Sequence, residues 1–152
     1  NEVLIVAEDR KDILGEGYTI IQKDFGEQLT SISYEPLYKI EGIENAYQVQ
    51  TADFVTTTDG TGVVHIAPMY GADDFALATK LGLPKVHTVD DTGNFIAGVT
   101  PEFLAGRFVK TEEVAVDIIK DLAHRGHLFK KEKYEHSYPH CWRCRKPPVP
   151  RN

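Results

Sequence analysis

The chain has 152 residues, of which 41% are hydrophobic, so it is long enough for one globular domain with a sizeable core. Its apolar runs are far shorter than the roughly 20 residues that a membrane-spanning helix needs, which excludes a membrane span. The net charge is −6, yet residues 125–152 hold eight Lys/Arg against two Asp/Glu, whereas residues 1–124 hold nine against 21. This polarised charge would steer a polyanion to the C-terminal segment, unless residues 130–133 are merely a solvated face.

Short segments rich in β-branched and aromatic residues dominate the first part of the chain. Residues 3–7 predict a buried strand, and a charged helical turn at residues 9–14 follows it. The chain has no initiator Met and ends in a proline-rich run, and we therefore expect a piece of a longer protein. Gly, Asn or Pro separate the other predicted strands of this part, which are residues 18–23, 34–40, 47–50 and 53–57.

A glycine turn around Thr61 precedes the next predicted strand, residues 63–67. Two glycines admit positive φ angles and let another backbone or a ligand approach closely. The two-residue period of a strand places His65 on one face, and Val64 and Ile66 on the other face, toward a core.

A loop containing Tyr70 leads from this strand to a predicted helix that begins at residue 72 and stops at Gly82. Asp73 and Asp74 lie in its first turn. An Asp at a helix start is usually a cap or a favourable charge against the helix dipole, and a single strand His is usually structural. Here polar groups share one strand–loop–helix unit, which favours a polar site. The apolar positions of the helix are Phe75, Ala78 and Leu81.

The remainder contains one more predicted strand, residues 85–89, a turn at residues 90–94 and a second helix, residues 112–125. Thr111 is the expected N-cap of that helix. Many short strands with two clear helices predict an α+β fold, in which a small β-barrel or strongly bent sheet is flanked by helices. The predicted apolar stripe of the second helix is Ala115, Ile118, Ile119 and Leu122.

Cys141 and Cys144 are the only cysteines, and their two-residue spacing is typical of a redox motif or half of a zinc site. The prolines that follow forbid the helix of a thioredoxin-type motif, which favours zinc. Zinc needs four ligands. Either His136 and His140 complete the set, or the other ligands lie outside the chain, or both thiols are unligated.

Residues 59–75, DGTGVVHIAPMYGADDF, and residues 136–144, HSYPHCWRC, together resemble the editing (CP1) domain of class I isoleucyl-tRNA synthetases. The resemblance covers essentially the whole chain. It implies a β-barrel with peripheral helices in residues 1–135, truncated at its N-terminus. Residues 136–152 would be a zinc-knuckle-like segment returning toward the catalytic core.

The resemblance also implies hydrolysis of valine misattached to the acceptor end of tRNA(Ile). Asp74 matches the family's acid that pairs with the α-ammonium group, and His65 matches the histidine that excludes isoleucine and places the ester. Thr61, Tyr70 and Asp73 are weaker candidates for the substrate-binding pocket. No cofactor is implied for editing, and ATP and Mg²⁺ belong to the catalytic core. The implied partners are tRNA and the rest of the synthetase chain, in the cytoplasm and not at a membrane.

The chain departs from the family pattern in two places. The family's threonine-rich peptide, which forms the opposite wall of the pocket, and its second CxxC motif are both missing. Zinc at Cys141 and Cys144 would therefore have two of four ligands from this segment. The alternative functions are a valyl- or leucyl-type editing domain, a non-catalytic zinc-knuckle module that binds nucleic acid, and, more remotely, a metallohydrolase using His65, Asp73 and Asp74.

Overall fold

The computed structural model describes residues 2–30, 32–40 and 43–131. In chain order, these residues form two short 3₁₀ helices, Glu8–Leu14 and Gly26–Leu29, and two α-helices. Helix α1 is Ala72–Leu81 and helix α2 is Glu112–His124. Within the described ranges, neither helix has the length and apolar character that a bilayer crossing requires.

Helix α1 begins and ends where the sequence predicts. Gly71 precedes it with an extended backbone, and Gly82 ends it in the left-handed conformation, at φ 66° and ψ 27°. The Leu83 N–H then donates to the Ala78 carbonyl at 2.9 Å, which satisfies one of the open carbonyl groups of the last turn. Ala78 is the fully buried residue of the helix.

Helix α2 also lies where the sequence predicts, but its one fully buried side chain, Val114, is not in the predicted stripe, and one predicted stripe residue, Ala115, is not covered. Val114 is 1% exposed, whereas Ala115 is exposed to solvent. Positions 114, 118 and 121 repeat at the i, i+4, i+7 spacing of one face, and residue 115 lies about 100° around the helix from it. The Thr111 hydroxyl donates to the Phe108 carbonyl at 3.1 Å and makes no capping bond to the helix.

The β pairing of the described residues consists of isolated bridges. The Ser33–Gln48 bridge is flanked by two hydrogen bonds of 2.9 Å, from Tyr34 N–H to the Tyr47 carbonyl and from Val49 N–H to the Ile32 carbonyl. The small β-barrel therefore stays a prediction. The other bridges are Val89–Phe95 and Asn94–Phe108, both antiparallel, and Ala97–Thr100, which is parallel.

The predicted turn at residues 90–94 is confirmed. Oδ1 of Asp90 accepts hydrogen bonds of 2.9 Å from both the Thr92 N–H and the Asn94 N–H. Gly93 supplies the positive φ, 86°, that the turn needs before the chain runs back beside Val89. The Asp90 carboxylate thus satisfies two backbone donors of the turn, and the Asp90 carbonyl accepts from a third, the Gly93 N–H, at 3.1 Å.

The core of the described residues is small and lies between residues 69 and 114. Val3, Ile5 and Val64 are 67%, 57% and 49% exposed, so the predicted burial of these residues is wrong in this structure. An apolar strand is covered only when a ladder and a second layer pack on it, and no ladder forms on these segments in the described ranges. The buried apolar side chains are Met69, Ala78, Val89, Leu104 and Val114.

Candidate active site

The glycine turn brings the start of the chain against Thr61. The Ala7 N–H donates to the Thr61 carbonyl at 2.8 Å, and the Ala7 methyl group fills the space beside Gly62, whose φ is 75°. Arg10 Nε donates to the Gly60 carbonyl at 2.9 Å. The close approach that the two glycines permit is therefore made by another part of the same chain.

The Thr61 side chain is used within its own turn. Its hydroxyl donates to the Val63 carbonyl at 3.1 Å and accepts from the Val63 N–H at 3.2 Å. A threonine that bonds the backbone two residues further on stabilises the turn. The hydroxyl has one lone pair left for a ligand.

His65 lies two residues before Ala67 in the segment that leads to the loop. It is exposed, and it makes none of the hydrogen bonds or ion pairs in the described part of the chain. Its imidazole is therefore accessible to a ligand on the surface of the molecule.

The Asp74 carboxylate folds back across the loop that precedes α1. Its Oδ2 accepts a hydrogen bond of 3.3 Å from the Ala67 N–H, and the residue is half-buried. The Ala67 carbonyl accepts from the Tyr70 N–H at 2.9 Å, so both backbone groups of Ala67 are tied into the loop. Oδ1 makes no hydrogen bond to the described residues. One carboxylate oxygen is thus anchored and the other is open.

The Tyr70 hydroxyl connects this loop to the segment before the 90–94 turn. It accepts from the Thr88 N–H at 2.7 Å, from the Val89 N–H at 2.9 Å and from the Thr88 hydroxyl at 3.1 Å. Three donors on one phenol oxygen direct it toward residues 88–89. The structure therefore gives Tyr70 a clear role in holding the loop, and its predicted role in lining a pocket stays a prediction.

The five predicted site residues lie in neighbouring parts of the chain, but no hydrogen bond or ion pair of the described residues joins two of their side chains. Tyr70 lies in the loop that precedes α1, and Asp74 follows in the first turn of that helix. Asp73 is exposed beside Asp74 in the first turn of α1. Of the five, Asp74 is the residue whose carboxylate is anchored by a backbone N–H.

The structure does not test the predicted zinc site. Cys141 and Cys144 lie outside the described residues, as do His136 and His140. The described ranges contain no group of three or more His, Cys, Asp or Glu side chains placed to hold a metal ion.

Two surface cavities have linings that include none of the five residues. One, of about 350 Å³, is beside the start of α2 and contains the ion pair between Arg107 and Asp117, whose atoms approach to 2.9 Å. The hydrogen bond from Arg107 lowers the pKa of Asp117. The other, of about 300 Å³, borders the 90–94 turn, where hydrogen bonds from Asn94 and Thr92 lower the pKa of Asp90. Both carboxylates already bond neighbouring groups, Asp117 with Arg107, and Asp90 with Thr92 and Asn94.

Comparison with known proteins identifies where this segment occurs. The isoleucine–tRNA ligase of Bacillus thuringiensis (strain Al Hakam) is 48% identical over 146 residues, which cover 95% of this chain and 14% of the relative. The isoleucine–tRNA ligase of Clostridium novyi (strain NT) is 44% identical over 148 residues, or 96% of this chain and 14% of the relative. The chain is homologous to one segment of isoleucine–tRNA ligases.

The isoleucine–tRNA ligase 2 of Bacillus anthracis gives the same result, at 47% identity over 146 residues. No family model matches the chain. The chain spans 14% of the length of these relatives. The predicted likeness to isoleucyl-tRNA synthetases is confirmed at the level of the synthetase, and the assignment to the editing domain stays a prediction.

Sequence reasoning missed two contributors to the loop that precedes α1. Gly71 leaves the space that the Asp74 carboxylate occupies, and Thr88 supplies two of the donors to Tyr70. The first had a local signal, because Gly71 stands three residues before an Asp at a helix start. The second had none, because residues 70 and 88 meet only through tertiary packing.

Proposed function

We propose that the chain carries the editing site of an isoleucine–tRNA ligase and hydrolyses valine misattached to tRNA(Ile). Its homology to these ligases over 95% of its length supports the proposal. Valine lacks one methylene group of isoleucine, a difference worth only about 1–3 kcal/mol in an apolar pocket, so a synthetic site alone rejects valine poorly. A second site that hydrolyses the smaller aminoacyl ester supplies the missing discrimination.

The observation that carries the proposal is the state of the Asp74 carboxylate. Its Oδ2 is held by the Ala67 N–H, and Oδ1 is left open by the described residues. An aminoacyl ester presents an α-ammonium group, for which a positioned carboxylate at the surface of a loop is a suitable acceptor. Asp74 would thereby fix the amino acid relative to the loop.

Hydrolysis at this site would use water directly. In the described residues, His65 has no hydroxyl, thiol or carboxylate partner, so the chain offers no His-activated nucleophile there. A positioned water would attack the ester carbonyl, with backbone N–H or hydroxyl groups stabilising the oxyanion. His65, exposed beside the loop, would place the ester and exclude isoleucine. tRNA(Ile) and the remainder of a cytoplasmic synthetase are the proposed partners.

The test is deacylation by a chimeric ligase. Residues of this chain would replace the matching segment of the B. thuringiensis relative, and valyl-tRNA(Ile) and isoleucyl-tRNA(Ile) would be the two substrates. We expect selective hydrolysis of the valyl ester. Asp74→Asn should lower kcat/KM for that ester about 10- to 100-fold, because a hydrogen bond to a charged group is worth about 1.5–3 kcal/mol.

The control is Glu102→Gln, which removes an exposed carboxylate outside the loop and should leave deacylation unchanged. Isoleucylation by each chimera would report correct folding of the whole enzyme. A chimera that aminoacylates normally yet hydrolyses no valyl ester would overturn the proposal.

A further inference from the structure

Gly71 occupies a position whose backbone does not require glycine. Its φ of −132° and ψ of 138° lie in the extended region that every residue adopts. Gly82, at the other end of α1, is the opposite case, because its φ is 66° but a Cβ there would meet nothing within 4 Å. A reason other than backbone conformation must therefore account for the glycine at position 71.

That reason is the space taken by Asp74. A Cβ built on Gly71 would lie 2.5 Å from Oδ2 of Asp74, 3.0 Å from its Cγ and 3.4 Å from its Cβ. The first distance is far below van der Waals contact. The carboxylate that accepts the Ala67 N–H thus lies in the volume that any side chain at position 71 would fill.

The surrounding backbone is held more firmly than the Asp74 side chain. The Gly71 carbonyl accepts the first hydrogen bond of α1, from the Phe75 N–H at 2.9 Å. Beside it, Met69 is buried and the Tyr70 hydroxyl accepts its three hydrogen bonds from residues 88 and 89. When a Cβ is added, rotation of the Asp74 side chain is therefore the cheapest relief of the clash.

We infer that Gly71 is a positioning residue. Because it has no side chain, the Asp74 carboxylate can occupy the volume beside it and accept the Ala67 N–H. The inference rests on the proposed function for its effect on editing, since Asp74 is the proposed acceptor of the substrate ammonium group. Gly71→Ala keeps the negative charge at position 74 and moves it. The substitution therefore tests the effect of moving the carboxylate, whereas Asp74→Asn tests the effect of removing it.

The first test is independent of catalysis. In the ¹⁵N-labelled chain, the proton shift of the Ala67 amide should follow the ionisation of Asp74 as the pH is lowered, because that amide donates to the carboxylate. Gly71→Ala should abolish this dependence, as Asp74→Asn does. Gly26→Ala is the matched control, since a Cβ there meets nothing within 4 Å. A pH dependence of the Ala67 amide shift that persists in Gly71→Ala would overturn the inference.

The second test is a double-mutant cycle in the chimeric ligase with valyl-tRNA(Ile) as substrate. Gly71→Ala should lower kcat/KM about 10-fold, and it should have no further effect in the Asp74→Ala background, because residues that act through one group are not additive. Equal effects in both backgrounds would overturn the inference. Unchanged editing by an active Gly71→Ala chimera, when the same substitution abolishes the pH response of the Ala67 amide in the labelled chain, would overturn the effect of Gly71 on editing.

The two tests also separate this inference from the proposed function. In one outcome, Gly71→Ala abolishes the pH dependence of the Ala67 amide shift, and the parent chimera hydrolyses no valyl ester. That outcome would support the positioning of Asp74 and reject the editing assignment. In the other outcome, Gly71→Ala abolishes the pH dependence of the Ala67 amide shift and lowers valyl-ester hydrolysis, but not in the Asp74→Ala background. That outcome would support the inference and the proposed function.

Discussion

At the scale of single residues, the Tyr70 hydroxyl carries the contact between the candidate site and the rest of the molecule. It accepts two successive backbone N–H groups, of Thr88 and Val89, in a place where Val89 is 6% exposed. Water has poor access to such a position, so the amide of Val89 depends on protein acceptors. The loop that holds Asp74 is thus fixed by a residue that lies 18 positions away in the sequence.

Tyr70→Phe should therefore destabilise the protein without changing its shape. Removing the acceptor leaves the amides of residues 88 and 89 without this bond, which should lower the free energy of unfolding by about 1–3 kcal/mol. Urea unfolding at pH 7 measures the change. Tyr18→Phe, which removes the hydroxyl of an exposed tyrosine, is the control and should change little. Equal stabilities of the two variants would contradict the role given to Tyr70.

At the scale of elements, the local rules of helices and turns explain what forms. Gly82 ends α1 because its left-handed conformation is easily reached only without a Cβ. The apolar spacing of residues 112–125 specifies a helix in any context that covers one face. Which face of α2 is covered was not specified, because Val114 and Ala115 are both apolar and differ only in what packs on them.

The turn at residues 90–94 makes a pH-dependent contribution to stability. Hydrogen bonds from Asn94 and Thr92 lower the pKa of Asp90, and a carboxyl group whose pKa is lower in the folded state stabilises the fold above its unfolded pKa. That contribution is lost as the pH falls through the folded pKa. Asp90→Asn should keep the turn and lose this part of the acid dependence.

The measurement is urea unfolding at several pH values from about 7 down to about 3, which span the unfolded aspartate pKa of about 3.9. The parent protein should lose stability over this range by more than Asp90→Asn does. Glu102→Gln should behave like the parent. A parallel acid dependence in the parent and Asp90→Asn would show that the carboxylate charge of Asp90 contributes nothing.

At the scale of the whole molecule, one polar cluster joins the first half of the chain to the end of α2. The Tyr38 hydroxyl donates to Asp121 Oδ2 at 2.9 Å, and the Arg125 guanidinium donates both to that oxygen and to the Leu37 carbonyl, each at 2.9 Å. The guanidinium carbon also lies 4.9 Å from the centre of the Tyr38 ring. The contacts of Tyr38 with Asp121 and of Arg125 with Leu37 join residues 83 and 88 positions apart.

The same cluster predicts an alkaline limit to stability. Burial raises the pKa of Tyr38, and donation to Asp121 raises it further. A group whose pKa is higher in the folded state contributes stability below its unfolded pKa, about 10 for tyrosine, and loses it as the pH rises through the folded pKa. Tyr38→Phe should remove this loss. Thermal unfolding between about pH 8 and 11 measures it, and a parent stability that is flat above pH 10 would contradict it.

The sequence predicted where Asp74 and His65 lie along the chain better than it predicted the packing around them. It placed Asp74 in the first turn of a helix and His65 just before the loop, because both depend on spacing over a few residues. It could not supply Ala7 as the group that fills the space beside Gly62, since that contact joins positions 55 residues apart. The burial predicted for Val64 failed for the same reason, because burial depends on a covering layer and not on alternation alone.

By itself the sequence determined the positions of α1 and α2, the 90–94 turn and the likeness to isoleucyl-tRNA synthetases, because capping, periodicity and motifs are encoded within short stretches. The tertiary structure alone decided which face of α2 is buried, where the Tyr70 hydroxyl finds its donors and how Gly71 makes room for the Asp74 carboxylate. Those features are set by which groups meet in space. The free energy of such tertiary contacts depends on interatomic distances and on the exclusion of water. Neither can be read from the order of the residues.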